Sequence, residues 1–151
     1  MRRIDREIEG IKAIESIIRQ AAVCHLGLCD EGAPYVVPLC FGYEDAHLYF
    51  HCAQEGRKLE ILRKNNRVCF EMDIDQVLVR SEEPFRCSMK YRCVIGSGRA
   101  RLIFDADEKR KALDIIMSHY AEGTFVYPQS AIDKVLVIRV DIEEMAAKAN
   151  V

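Results

Sequence analysis

Between residues 23 and 53 the chain alternates short apolar runs with turn-forming residues, and this constrains the fold more than any other feature. Residues 23–29 form a mostly apolar run, Asp30, Glu31 and Gly32 form a turn, and residues 34–41 form a second run rich in Val, Tyr and Leu. Runs this short, joined by so tight a turn, must pair antiparallel, because parallel neighbours need a crossover of about a dozen residues or more. Residues 42–46 read as another turn. Residues 47–53 read as a third strand, with Leu48 and Phe50 on one face and Tyr49 and His51 on the other.

The rest of the chain adds helices and longer strands. Upstream, Ile4, Ile8, Ile11, Ile14, Ile17, Ile18 and Ala21 recur at helical steps, with Gly10 as a weak point that need not break the helix. Downstream, residues 55–65 read as a short helix with apolar Leu59, Ile61 and Leu62. Residues 67–72 resume strand texture and continue towards Val79, and residues 81–86, which contain Pro84, read as a loop. Residues 91–104 form a long strand in which Gly96 and Gly98 mark a bulge or a close backbone approach. Residues 107–121 form a helix capped by Asp105 or Asp107, with Leu113, Ile116, Met117 and Tyr120 on one face. Residues 134–142 form a last strand, and the short charged tail after it is read as helical. No linker or repeat divides the 151 residues, so residues 1–151 are read as one domain. Antiparallel strands with helices at their ends predict an α+β, mainly β, barrel, since closure removes exposed edges.

Charge narrows the partners. With 22 basic and 24 acidic residues the formal net charge is −2, which gives no electrostatic case for a nucleic acid or membrane partner. No apolar run approaches the roughly 20 residues that span a bilayer, and the basic N-terminus lacks an apolar signal core, so a cytoplasmic location is expected. The seven cysteines are odd in number and none are spaced C-x-x-C, which argues against a zinc ribbon, a thioredoxin-type motif or a disulfide framework. They are expected to be reduced packing residues. His25, His47 and His119 show no metal-ligand spacing and are read as structural or solvated, with no metal expected. Cys24 and His25 point to opposite strand faces. Gly96-Ser97-Gly98 is too short for a dinucleotide fingerprint, and Ser88 has no paired base at a recognisable spacing.

The most informative stretch is residues 48–62. A strand ends near Ala53, a helix begins near Gly56, and Arg57 and Lys58 occupy its first turn. Two cations there oppose the positive end of the helix dipole, at about 0.3–1 kcal/mol each. The placement becomes favourable when an anion such as a phosphate monoester binds, because the Arg fork, the Lys ammonium and free backbone N–H groups converge on it. The plain alternative is a surface helix whose cations pair with Glu55 and Glu60.

Three segments resemble, in order, those of the pyridoxamine 5'-phosphate oxidase-like FMN-binding split-barrel superfamily: APYVVPLCFGY (33–43), FHCAQEGRKLEIL (50–62) and KYRCVIGSGRA (90–100). The similarity runs from about Ile14 to Ile142 and is closest to the flavin-nucleotide-binding branch that contains the 5-nitroimidazole-resistance (Nim-type) proteins. The resemblance implies a six-stranded antiparallel split β-barrel with peripheral helices, working as a homodimer with FMN in the cleft between subunits. It implies that Arg57 and Lys58 hold the FMN phosphate. His51, Cys52 and Ala53 would border the ribityl chain or ring, Pro38, Leu39 and Cys40 would run along the ring, and Tyr91 would touch the cofactor from a neighbouring strand.

Two departures shape the functional expectation. Residues 143–151 carry no basic and histidine motif of the kind pyridoxamine-phosphate oxidases use for substrate phosphate, so vitamin B6 oxidation is not expected. Cys52 stands where a hydroxyl residue is common, which removes a good donor. The reading is therefore an FMN-dependent oxidoreductase that reduces a small, flat, nitroaromatic-like acceptor, with reduced nicotinamide, NAD(P)H, as the electron donor and His51 as the proton-passing catalytic residue. The alternative is a non-catalytic protein that stores flavin or binds haem through His51; the residues leave FMN, haem or F420 open as the bound group. A third reading is a thiol redox sensor, in which one of the seven cysteines has a depressed pKa, with Cys52, close to Arg57 and Lys58, as the candidate.

Overall fold

The computed structural model describes residues 4–151. Ile4–Arg6 is a single 3-10 turn, β1 is Glu7–Ile8, and α1 is Ile11–Gln20. The helix expected from Ile4 onward thus starts only after Gly10, whose φ of 92° lies outside the helical region and ends the stripe's continuity. Ile17 and Ile18 of that stripe are fully buried, while the side chain of Ile4 lies outside the described residues.

The strands expected between residues 23 and 53 form where the turns place them. β2 (Cys24–Asp30) and β3 (Ala33–Leu39) pair antiparallel around Glu31 and Gly32, both at positive φ. The segment expected as a turn at 42–46 is instead a second hairpin. β4 (Gly42–Glu44) pairs with β5 (His47–Ala53) around Asp45 and Ala46, with φ of 48° and 61°. Two residues with positive φ match the right-handed twist of the strands they join.

Then come α2 (Arg57–Lys64), β6 (Arg67–Val79), a 3-10 turn at Pro84–Arg86, and β7 (Ser88–Ile103). β6 is irregular between Ile74 and Val77, and the β7–β8 ladder shifts register between Ser97 and Gly98, where the extra residue is Glu143 on β8. Gly98 itself is the close approach that the sequence offered as the alternative, since a Cβ there would collide with the Asp141 carbonyl oxygen. α3 (Ala106–Tyr120) is capped by Asp105, whose carboxylate accepts from the amides of Asp107 and Glu108 at 3.0 Å each. α4 (Gln129–Lys134) was not foreseen. β8 (Val135–Asn150) runs through the tail expected to be helical, because β7 pairs with it as far as Asn150 and β1 takes up its other flank at Ala147 and Lys148, beyond the reach of β5, whose ladder ends at Asp141.

The described residues form one antiparallel sheet of eight strands rather than six, in the order β3-β2-β6-β7-β8-β5-β4, with β1 on β8. β3 and β4 end this path on opposite sides, yet only Cys40 and Phe41 separate them in sequence. Three peptide steps span at most about 11 Å. The sheet must therefore curl until its two ends approach, although no ladder joins them. The expected closure is not made. The barrel is split along this seam, and β3, with Pro34 and Pro38, has the composition of an edge strand. Its interior is filled by Phe41, Leu48, Phe50, Phe70, Met72 and Ile138, with Ile17, Ile18, Leu59 and Ile61 closing it from α1 and α2.

Candidate functional site

α2 starts where β5 leaves the sheet. Gly56 precedes it with φ of 131°, a conformation that side-chain-bearing residues rarely adopt, and no side chain caps the helix. Its carbonyl accepts from the amides of Leu59 and Glu60, at 3.0 and 3.2 Å. The preceding amides, of Arg57 and Lys58, belong to the first turn, where no intrahelical acceptor exists. Leu59, Ile61 and Leu62 pin the helix into the core, so the position of its start is fixed.

Arg57 is exposed and Lys58 is half-buried. Among the described residues neither forms an ion pair, so the expected alternative, pairing with Glu55 and Glu60, is not what the structure shows. Arg57 instead lies over the ring of Tyr35 on β3, 4.7 Å from the guanidinium carbon to the ring centroid. This contact links the start of α2 to the strand at the far end of the sheet path. Lys58 acts on Cys52. Burial pushes the Cys52 thiol up from its ordinary value, and the Lys58 charge pulls the other way without overcoming it. Cys52 is therefore not the acidified thiol of the sensor reading, since it faces the apolar interior opposite Leu136.

The remaining sequence-derived residues divide. His51 and Ala53 are exposed on the outer face of β5, while Cys52 between them turns inward. His51 forms no hydrogen bond among the described residues. On β3, Pro38 is exposed and Leu39 packs on the core. Cys40, just beyond, is exposed and sits beside the Tyr120 hydroxyl, whose pKa is pushed up to about 12, mainly by burial. Tyr91 is not brought to this group. It pairs with Asn150, twelve residues along β7 from Ile103, whose own register partner Val137 stands opposite His51. That is roughly 40 Å of strand at about 3.3 Å per residue.

Two features had no sequence signal. Tyr35 reads only as an alternating strand residue, and its place under Arg57 depends on the curl of the whole sheet. Tyr120, expected only as a helix-face residue, donates to the Ala22 carbonyl at 2.9 Å and accepts from the Phe41 amide at 3.0 Å, fixing the seam next to Cys40. His47 and His119 are structural, as expected. His47 approaches Asp141 at 3.5 Å, and His119 bonds the Ala21 carbonyl at 2.7 Å and packs on Phe41. All seven cysteines are free. Cys24 and Cys93 are buried as packing residues, but Cys40, Cys69 and Cys87 are exposed, contrary to the expectation that cysteines in apolar runs are core. No helix of the described residues is long and apolar enough to cross a membrane.

Comparison with known proteins agrees with this architecture. A crystal structure of a candidate 5-nitroimidazole antibiotic resistance protein from Bacteroides thetaiotaomicron shares 42% identity. It has a TM-score of 0.85 and covers 95% of this chain and 86% of that one. The flavocytochrome Anf3 from Azotobacter vinelandii has the same fold at 22% identity, with a TM-score of 0.87 over 100% of this chain and 72% of that one. A FAD and heme binding protein from Mycobacterium smegmatis also shares it, at 17% identity and a TM-score of 0.86, over 96% and 73% of the two chains. No curated protein matches the sequence. The family model for pyridoxamine 5'-phosphate oxidase matches residues 11–149, nearly the whole of the sheet and its helices. The chain belongs to the pyridoxamine 5'-phosphate oxidase family.

Proposed function

We propose that this chain binds FMN and acts as a flavin-dependent oxidoreductase on a small, flat acceptor of the nitroaromatic type. The carrying observation is the start of α2. Two cations without carboxylate partners share an uncapped helix N-terminus behind a glycine, and a Cβ built on that glycine would meet nothing within 4 Å. Space, charge and free donors there fit a phosphate monoester, which carries about −1.5 to −2 charge at neutral pH. Arg57 and Lys58 would hold the phosphate, and the Tyr35 ring would hold Arg57 in place. Pro38, Leu39 and Cys40 lie on or beside the strand that ends the sheet, where one flank of backbone polar groups is not used by a ladder and remains available to a ring. When bound, the flavin supplies the two-electron chemistry. The chain's part is to bind and orient the ring, with His51 positioned on the outer face to pass a proton.

The 42%-identical Bacteroides relative, described as a candidate nitroimidazole-resistance protein, supports the acceptor class. A homodimer in the cytoplasm, with reduced nicotinamide as electron donor, completes the reading. An exposed apolar groove over β6, β7 and β8, lined by Cys69, Ile95, Met145 and Ala146, offers the contact surface. A second copy would also supply Tyr91, which its own chain holds far from Arg57. Purification without added cofactor tests the proposal. A yellow protein, or one that takes up added FMN and oxidises NAD(P)H with a nitroaromatic acceptor, supports it; a colourless protein that fails to bind FMN overturns it.

One observation favours a second reading. The exposed His51 imidazole has no partner among the described residues, which suits an axial ligand in a non-catalytic haem binder. A Soret band on haem titration, lost in His51→Ala, would select that reading.

A further inference from the structure

Away from the start of α2, three ligand-bearing side chains meet on the outer face of the sheet. His25 on β2 stands directly opposite Glu71 on β6, and Asp73 follows two residues later on the same face. His25 Nδ1 lies 3.1 Å from Glu71 Oε2. One donor atom each from His25, Glu71 and Asp73 lies within 4.8 Å of the other two, and all three residues are half-buried.

A simple imidazole–carboxylate pair does not explain the third member. Asp73 adds a second carboxylate where one already satisfies the histidine. Lys148 also acts on the group and offsets part of the carboxylate charge gathered beside His25. Asp75 is not part of the set, because its carboxylate is held by Arg92 at 2.6 Å. A groove of about 410 Å³ opens beside the cluster and reaches His25, Asp73 and Gln76, so solvent and ions have access.

We propose that His25, Glu71 and Asp73 form a binding site for a divalent transition-metal cation of the Zn²⁺ or Mn²⁺ type. One imidazole and two carboxylates are the donor set such cations accept, and three protein ligands leave positions open towards the groove. Bonds of about 2.0–2.2 Å place neighbouring donors about 3.0–3.5 Å apart, so His25 and Glu71, at 3.1 Å, already stand at that spacing, and side-chain rotation brings in Asp73, whose donor lies within 4.8 Å of both. His25 lacks any sequence spacing that marks a ligand because its partners lie more than forty residues away and meet it through strand register. The site is independent of the flavin reading, although Pro38 stands directly opposite His25 on the next strand.

The test is Mn²⁺ titration of the chelator-treated full chain, followed by the electron paramagnetic resonance signal of free Mn²⁺. Mn²⁺ is the probe because it is a hard cation that the seven thiols bind poorly. The expected result is one saturable Mn²⁺ per chain and a rise in thermal unfolding midpoint on binding. His25→Gln and Asp73→Asn should each weaken binding at least tenfold, and Asp75→Asn should leave it unchanged. Asp73→Asn is nearly isosteric, so its midpoint without metal reports folding separately. Absence of saturable binding, wild-type affinity in both triad variants, or an equal loss in Asp75→Asn would each overturn the site. Flavin content of the same samples is read separately, and neither result depends on the other.

Discussion

The guanidinium of Arg57 lies over the Tyr35 ring at 4.7 Å, and through this contact the first residue of α2 meets the strand at the opposite end of the sheet path. The contact holds a cation that no carboxylate neutralises among the described residues. An aromatic face stabilises a cation by about 0.5–1 kcal/mol at an exposed site without cancelling its charge. Arg57 is therefore oriented and still able to take an anion.

Removing that cation should weaken FMN binding. Arg57→Ala is expected to cost about 1–3 kcal/mol, the value of a charge-assisted hydrogen bond, and Lys58→Ala should act in the same direction. Tyr35→Leu should cost less, about 0.5–1 kcal/mol, because it frees the guanidinium without deleting it. Quenching of flavin fluorescence on titration measures all three. Wild-type affinity in both cation variants would show that the phosphate lies elsewhere.

Subunit complementation reads out where Tyr91 acts. If Arg57 and Tyr91 reach one flavin from different subunits, a heterodimer of Arg57→Ala and Tyr91→Ala chains contains one doubly damaged site and one intact site. Co-expression with two affinity tags should then yield about half the wild-type flavin stoichiometry at wild-type affinity. If both residues act from the same chain, every site carries one lesion and no wild-type affinity returns.

Thiol labelling should separate the cysteines by exposure. Cys40, Cys69 and Cys87 should react first, and Cys24 and Cys93 only on unfolding. Burial raises the Cys52 thiol, so its thiolate fraction stays small at neutral pH and grows only above the ordinary thiol range. Lys58→Ala removes the opposing charge and should slow Cys52 labelling further. Mass spectrometry of timed alkylation distinguishes the sites, and fast Cys52 labelling at neutral pH would contradict the placement.

Two substitutions probe local structure away from any ligand. Asp105→Ala deletes the carboxylate that caps α3 and should destabilise the protein by about 1 kcal/mol. Ala46→Gly relieves a left-handed residue in a two-residue turn, at φ 61°, and should stabilise it by about 0.5–1 kcal/mol after the glycine's own entropy is counted. Urea denaturation resolves changes of this size and sign.

Local signals carried much of this structure. The Glu31-Gly32 turn, the alternation of Leu48 and Phe50, the Asp105 cap and the close backbone approach at Gly98 each follow from a few neighbouring residues, and each is found where expected. What failed depended on distant partners. The tail from Glu143 onward is charged enough to read as a helix, but β7 offers it a ladder all the way to Asn150. β4 is too short to show a strand pattern and exists because β5 lies beside it. At the candidate site, Arg57 and Lys58 were legible from their place at a helix start. Tyr35, and the meeting of His25 with Glu71 and Asp73, were not, because strand register and sheet curvature bring together residues that no spacing rule connects.

The seam between β3 and β4 has a mechanical consequence. Parting those two edges breaks no inter-strand hydrogen bond, whereas parting any other neighbouring pair in the wall breaks several. The barrel's line of least resistance therefore runs past Cys40, beside the surface where a ring would rest. Amide exchange is therefore expected to be fastest along the two free edges, outside the point that Tyr120 holds, and slowest at the β7–β8 ribbon.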